Sequence, residues 1–199
     1  MILHNFIAYV EYKWKAKGRH GTHSPFVYDF AEHVLLDKEL LNKEYLIECG
    51  WLPLKYENLI CRIATYYNYK KVLLLQSSAN SKDVDVLLLP EKEPGKWMSL
   101  LDEQLHLLNR NGIVILSGIH KTAAHSKAWK TIIKQPQVRM SIDLFGVGLL
   151  LFREEFKEKQ HFVLKYQPSG SSSWIVLVPA FAKKFSTKPL NIGGTLPIR

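Results

Sequence analysis

The chain has 199 residues, 47% of them apolar and 23% charged; this suits a globular domain with a sizeable core and excludes a disordered chain. Its two cysteines, Cys49 and Cys61, exclude a disulfide scaffold, and no apolar run nears the ~20 residues that a membrane-crossing helix needs. The formal net charge of +9 is local: residues 121–140 carry five basic and no acidic side chains and 167–199 carry four and none, while the rest is balanced.

Two basic patches on a neutral body differ from the continuous basic stripe of a nucleic-acid binder, so nucleic acid is not the expected partner. The opening MILHNFIAYVEYKWK has no basic n-region and carries His4 and Asn5 inside its apolar stretch. It therefore does not read as a signal peptide, and a reducing cytoplasm is the expected compartment.

In chain order, Phe6, Val10 and Trp14 recur every four residues with Lys13, Lys15 and Lys17 off that stripe, which predicts an amphipathic helix. Ser24 then reads as an N-cap, with Pro25 at the first helical position, where a missing N–H costs nothing. Phe26, Val27, Phe30, Ala31, Val34 and Leu35 follow at helical spacing. A further helix is predicted through Leu59, Ile60, Ile63, Ala64 and Tyr67, after the break at Pro53.

The pattern then changes. Lys71–Gln76 and Val84–Leu89 are short apolar runs of the buried-strand type. Met98, Leu101, Leu105 and Leu108 mark a helix ended by Asn111-Gly112, and Ile113–Leu116 is a third strand. Thr122 can cap a helix with Ala128, Trp129, Ile132 and Ile133 on its apolar side and Lys127, Lys130 and Lys134 on the other. Val138–Leu144 and Val147–Phe152, split by Phe145-Gly146, predict an antiparallel hairpin. Gln167–Ser173 reads as a linker, and Trp174–Val178 as a β-prone segment able to add to a sheet edge.

The block from Asp85 to Tyr166 resembles the C-terminal half of class I S-adenosylmethionine (SAM) dependent methyltransferases: strand, helix, strand, helix, then a closing hairpin. Arg19–Phe26 (RHGTHSPF) is similar to the opening of a short bacterial branch of that family, in which helices precede the catalytic fold. Ser141–Arg153 with Gln160–Leu164 is similar to that branch's closing hairpin and end. The resemblance implies a Rossmann-like α/β fold, here a reduced sheet of about five strands with an N-terminal helical cap. The expected organisation is a helical segment over 1–67, a truncated core over 68–166, and a linker and tail over 167–199.

Departures from the family pattern bear on function. The family holds SAM on a turn of the form E/D-x-G-x-x-x-G, because the cofactor lies where a Cβ would collide. The matching stretch here, Leu74–Ser81, has no glycine, and leucine replaces the acidic residue. The family also places a carboxylate after its second strand for the ribose hydroxyls, by the logic of dinucleotide folds. Here only seven residues, Ser77 to Asp83, separate Gln76 from Val84. That is too short for a helical crossover, which needs about a dozen residues. Fully extended it spans at most ~25 Å, just enough to return along a six-residue strand of ~20 Å. The fourth strand ends Leu89-Pro-Glu-Lys92 in place of an acidic turn. The fifth ends Ser117-Gly-Ile-His120, where the branch often has paired acids before Ile-His; the histidine matches.

The positions that correspond to the cofactor site are thus Gln76, Ser77, Ser78, Ser117 and His120. Losing two hydrogen bonds to charged groups, each ~1.5–3 kcal/mol, weakens binding by about two to four orders of magnitude. The expectation is a methyltransferase-like protein, catalytically inactive, with no cofactor bound well, and SAM as the cofactor if the family activity survives. Two alternatives stay open: an active methyltransferase with an unconventional or shared site, and an adaptor that meets acidic protein or nucleic acid through Lys127, Lys130 and Lys134. A homo-oligomer is left open, and no membrane partner or catalytic residue is expected.

Other constellations are weaker. His20 and His23 lie near a helix start with Lys17 and Arg19, a pattern open to a metal, an anion or a purely structural turn. His120 and His125 flank a helix start after a strand, where α/β proteins place ligand sites. Ser77 and Ser78 lack the G-x-S-x-G elbow of a hydrolase.

Overall fold

A computed structural model describes residues 2–18, 23–37, 54–74, 82–90 and 92–166. Chain contacts place Met1–Ser169 in one compact unit and Gly170–Arg199 in another; the second, with the expected edge segment Trp174–Val178, lies outside the described residues.

The first unit is built from helices α1 (Ile2–Lys15), α2 (Pro25–Phe30, continued by wider turns over Ala31–Leu36) and α3 (Leu54–Tyr67). Then come strands β1 (Val72–Leu74) and β2 (Val84–Leu89), helix α4 (Trp97–Gln104), strand β3 (Leu108–Ser117) and helix α5 (Ala123–Ile132). Strands β4 (Met140–Asp143), β5 (Val147–Leu151) and β6 (Gln160–Val163) complete it.

The six strands form one mixed sheet in the order β1-β2-β3-β5-β4-β6. β1, β2 and β3 pair in parallel, β5 runs against both β3 and β4, and β6 is parallel to β4. Only β5 therefore points the other way, and the carboxyl ends of the other strands share one edge. β1 pairs with β2 with Val72 opposite Val86.

Apolar residues sit on both sheet faces, which is why the strands read as continuous runs and not as alternations. Val86, Leu88, Ile113, Ile115, Ile142 and Leu149 pack under α2 and α3, with Phe30, Val34, Ile60 and Ile63. Leu87, Leu89, Val114, Leu116 and Leu150 pack under α4 and α5, with Trp97, Leu101 and Trp129. Val84 joins this second side because the register shifts between Val84 and Val86. The result is a three-layer α/β unit, consistent with a Rossmann-like arrangement.

Several expectations need correction. The sheet has six strands and not about five, because Gln160–Val163 pairs with β4. That segment is only part-buried, so it lacks the apolar signature of its neighbours. The helix expected to run to Asn111 stops at Gln104, passes through a tight turn over Leu105–Leu107, and gives way to β3 at Leu108. α5 ends at Ile132, which leaves Lys134 in the following turn. The Phe6, Val10 and Trp14 stripe faces outward: these side chains are 52%, 41% and 89% exposed. The helix docks by another face, through His4 and Tyr12.

That docking is specific. The Tyr12 hydroxyl donates to Leu164 O and accepts from the Tyr166 N–H. Just beyond α1, Lys17 pairs in parallel with Leu164 at the end of β6. α1 is thereby fixed at the sheet edge where most strands end.

Candidate functional site

The sheet's carboxyl edge supplies the first side chains. After β3 the chain turns tightly over Gly118–Lys121, with the Lys121 N–H donating to Gly118 O at 2.8 Å. Gly118 takes φ +69°, a conformation that glycine adopts without a Cβ penalty. Ile119 is fully buried and anchors the turn. His120 is thereby set at the edge. Gly118 N–H also donates to Gly146 O at 2.7 Å, which ties this turn to the one between β4 and β5.

Asp143, the last residue of β4, meets the His120 ring: His120 Nε2 to Asp143 Oδ2 is 2.7 Å. The two side chains are 13% and 7% exposed. The other carboxylate oxygen accepts the Phe145 N–H at 2.8 Å. Phe145 itself has φ +69°, a strained conformation for a non-glycine residue. Its ring stacks on His120 at 5.6 Å and meets Tyr9 edge-on at 5.0 Å, which holds it there.

α5 supplies the third group. Thr122 caps it by accepting the His125 N–H, and Ser126 follows on the first turns. Ser126 Oγ lies 3.2 Å from His120 Nδ1 and 3.1 Å from His4 Nε2 on α1. Proton positions follow from acceptor chemistry. A carboxylate only accepts, so His120 Nε2 carries the proton shared with Asp143, and neutral His120 presents a lone pair at Nδ1. With His120 and His4 each protonated at Nε2, the Ser126 hydroxyl donates to His120 Nδ1 and accepts from the His4 Nε2–H. The ordered chain runs His4 to Ser126 to His120 to Asp143.

Beside this chain lies a cavity of about 210 Å³. α1 contributes His4, Glu11, Tyr12 and Lys15, α5 contributes Ser126, Trp129 and Lys130, and β4 and β6 contribute Asp143 and His161. His161 Nδ1 is 2.8 Å from Ser141 Oγ. Burial holds the His161 pKa below its usual value, partly offset by Asp143. The Trp129 indole N–H has no partner among the described residues. No group of three or more His, Cys, Asp or Glu among the described residues is arranged for a metal.

Of the residues singled out in the sequence, Gln76, Ser77 and Ser78 lie outside the described residues, as does His20. Ser117 is buried at the end of β3, and its hydroxyl has no partner among the described residues. His120 is in the cluster just described. His125 is elsewhere: it is buried, bonded to Thr122 Oγ1 at 2.7 Å and set edge-on to Trp97. His23 is exposed, as are Lys127, Lys130 and Lys134. His4, Ser126, Asp143 and His161 were not anticipated. Asp143 had a signal: Ser141 and Asp143 alternate with Met140 and Ile142, which marks a polar stripe on a buried strand. Ser126 and His4 had none, being 122 residues apart.

No protein-family model matches the chain, and neither a curated protein nor a solved structure is significantly similar to it. No helix among the described residues is long and apolar enough to cross a membrane.

Proposed function

We propose that the chain is a methyltransferase-like protein that binds SAM poorly and does not transfer methyl groups. One observation carries this reading. His120, which keeps the branch's pattern at the fifth strand, is turned inward: it bonds Asp143, stacks on Phe145 and sits by the α1 helix. The cavity beside it, about 210 Å³, is smaller than the ~300 Å³ at which sites for drug-sized ligands begin. The glycine-free stretch Leu74–Ser81 points the same way.

Calorimetric titration and thermal shift with micromolar SAM test the reading. No heat and no shift are expected. A clear signal overturns it and favours the active alternative, in which the cofactor site is unconventional or shared with a second chain. The adaptor alternative draws on the exposed Lys127, Lys130 and Lys134. It predicts retention on an oligonucleotide column that falls steeply with salt.

A further inference from the structure

We propose that Ser126, His120 and Asp143 form a nucleophilic triad that hydrolyses short acyl esters in the cavity between α1 and α5. The requirement for such chemistry is geometric: a hydroxyl on a base, and the base held by a third group. Ser126 Oγ is 3.2 Å from His120 Nδ1, and His120 Nε2 is 2.7 Å from Asp143 Oδ2. The imidazole is used through Nδ1 towards the serine, with Nε2–H on the carboxylate. Either ring nitrogen can act as the base once the other carries the proton.

The surroundings suit the role. Asp143 is fixed by the Phe145 N–H, and the His120 ring by the Phe145 face. Nearly every member is buried, so these bonds act in a low-dielectric site where they are strong. Ser126 lines the cavity, so a small substrate can reach it. The His4 Nε2–H, 3.1 Å from the same oxygen, favours negative charge there. The other charged or titratable groups around the cavity are Glu11, Tyr12, Lys15, Lys130 and His161.

In the acylation step Ser126 Oγ bonds the ester carbonyl carbon, and its proton passes to His120 Nδ1. The carbonyl π electrons move onto oxygen as the tetrahedral intermediate forms. As that oxyanion collapses, the bond to the leaving oxygen breaks and the leaving group takes the proton from His120. Water then attacks the acyl-serine carbonyl and its proton passes to His120 Nδ1; as this second intermediate collapses, the bond from Ser126 Oγ to the acyl carbon breaks, His120 returns the proton to Ser126 Oγ, and the carboxylic acid leaves. No other co-reactant is needed. A cavity of about 210 Å³ has room for a short acyl part.

The test uses the full-length chain with a fluorophosphonate probe and with p-nitrophenyl acetate. Intact mass and peptide mapping are expected to place one adduct on Ser126. Ser126→Ala and His120→Gln are expected to lower ester hydrolysis at least ~100-fold. His4→Gln should slow it less. Asp143→Asn tests positioning: kcat is expected to fall with KM unchanged, because the ring that Asp143 holds at 2.7 Å loses its orientation. An unlabelled Ser126 in the folded wild-type chain, adducts only on other residues, or hydrolysis that Ser126→Ala leaves unchanged overturns the proposal. Labelling of the wild-type chain needs no variant, so the test survives a substitution that prevents folding. SAM binding is read separately, so this proposal and the preceding one fail independently.

Discussion

Replacing Gly148 by alanine tests how closely α5 is fitted to the sheet. Gly148 lies on β5, opposite Leu116 of β3 and Asp143 of β4. A Cβ there would stand 2.6 Å and 2.7 Å from Trp129 Cη2 and Cζ3. Ordinary carbon contacts begin near ~3.5 Å, so the indole must retreat by about 0.8–0.9 Å. Trp129 is 1% exposed, and a ring that buried has no free direction. Overpacking of this kind costs ~1–3 kcal/mol, which for a chain of this size lowers Tm by ~2–12 °C. Urea unfolding should show an earlier midpoint with an unchanged slope.

The effect should reach the cluster as well. Ser126 precedes Trp129 by three residues on α5, and its 3.2 Å contact with His120 leaves little slack before the bond is lost. Gly95→Ala is the control, since nothing lies within 4 Å of its Cβ position; its effect should stay within ~0.5 kcal/mol. A Gly148→Ala chain equally close to wild type would refute the claim that Trp129 is locked against the strand.

Two further outcomes follow from the geometry. Asp85 Oδ2 accepts the N–H groups of Lys70 at 2.7 Å and Lys71 at 2.8 Å, and the other oxygen accepts from the Asn109 amide. Asp85→Ala should cost ~1–3 kcal/mol in denaturant unfolding, and no loss would show that these bonds are replaced by water without penalty. Burial raises the pKa of Tyr166 to about 12 and pushes Tyr12, Tyr56, Tyr67 and Tyr69 upward too. The folded chain keeps these protons above pH 10 where the unfolded chain loses them. This stability is fully present below pH ~10 and falls above it, by up to ~1.4 kcal/mol per pH unit for each group. Unfolding followed against tyrosinate absorbance should give one coincident alkaline transition; ionisation complete before unfolding would contradict it.

The elements best seen in the sequence are those with one dominant physical cause. Val84–Leu89 and Ile113–Leu116 are buried on both faces, so their apolar runs announce central strands. Phe145-Gly146 breaks the hairpin where the backbone turns, and Thr122 caps α5 as its hydroxyl suggests. Gln160–Leu164 stands out only through its resemblance to the branch's end and does not read as a strand, because a half-exposed edge strand carries no such run. That the stripe of Phe6, Val10 and Trp14 on α1 faces outward is not legible in the sequence for a related reason: periodicity finds a stripe but not the side on which the neighbour lies. Tyr12 and His4, the residues that dock it, bind through polar atoms that hydropathy ignores.

His120 drew attention from the sequence because it follows a strand at the end where α/β sheets gather their sites. Its partners belong to other elements: Ser126 begins α5, Asp143 ends β4, and His4 belongs to α1. The local pattern fixes which segments are helix or strand, since backbone geometry and burial act over a few residues. Which side chains meet depends on strand order and on helix docking. Those are settled by contacts between residues far apart in the chain, and so only the tertiary structure decided them.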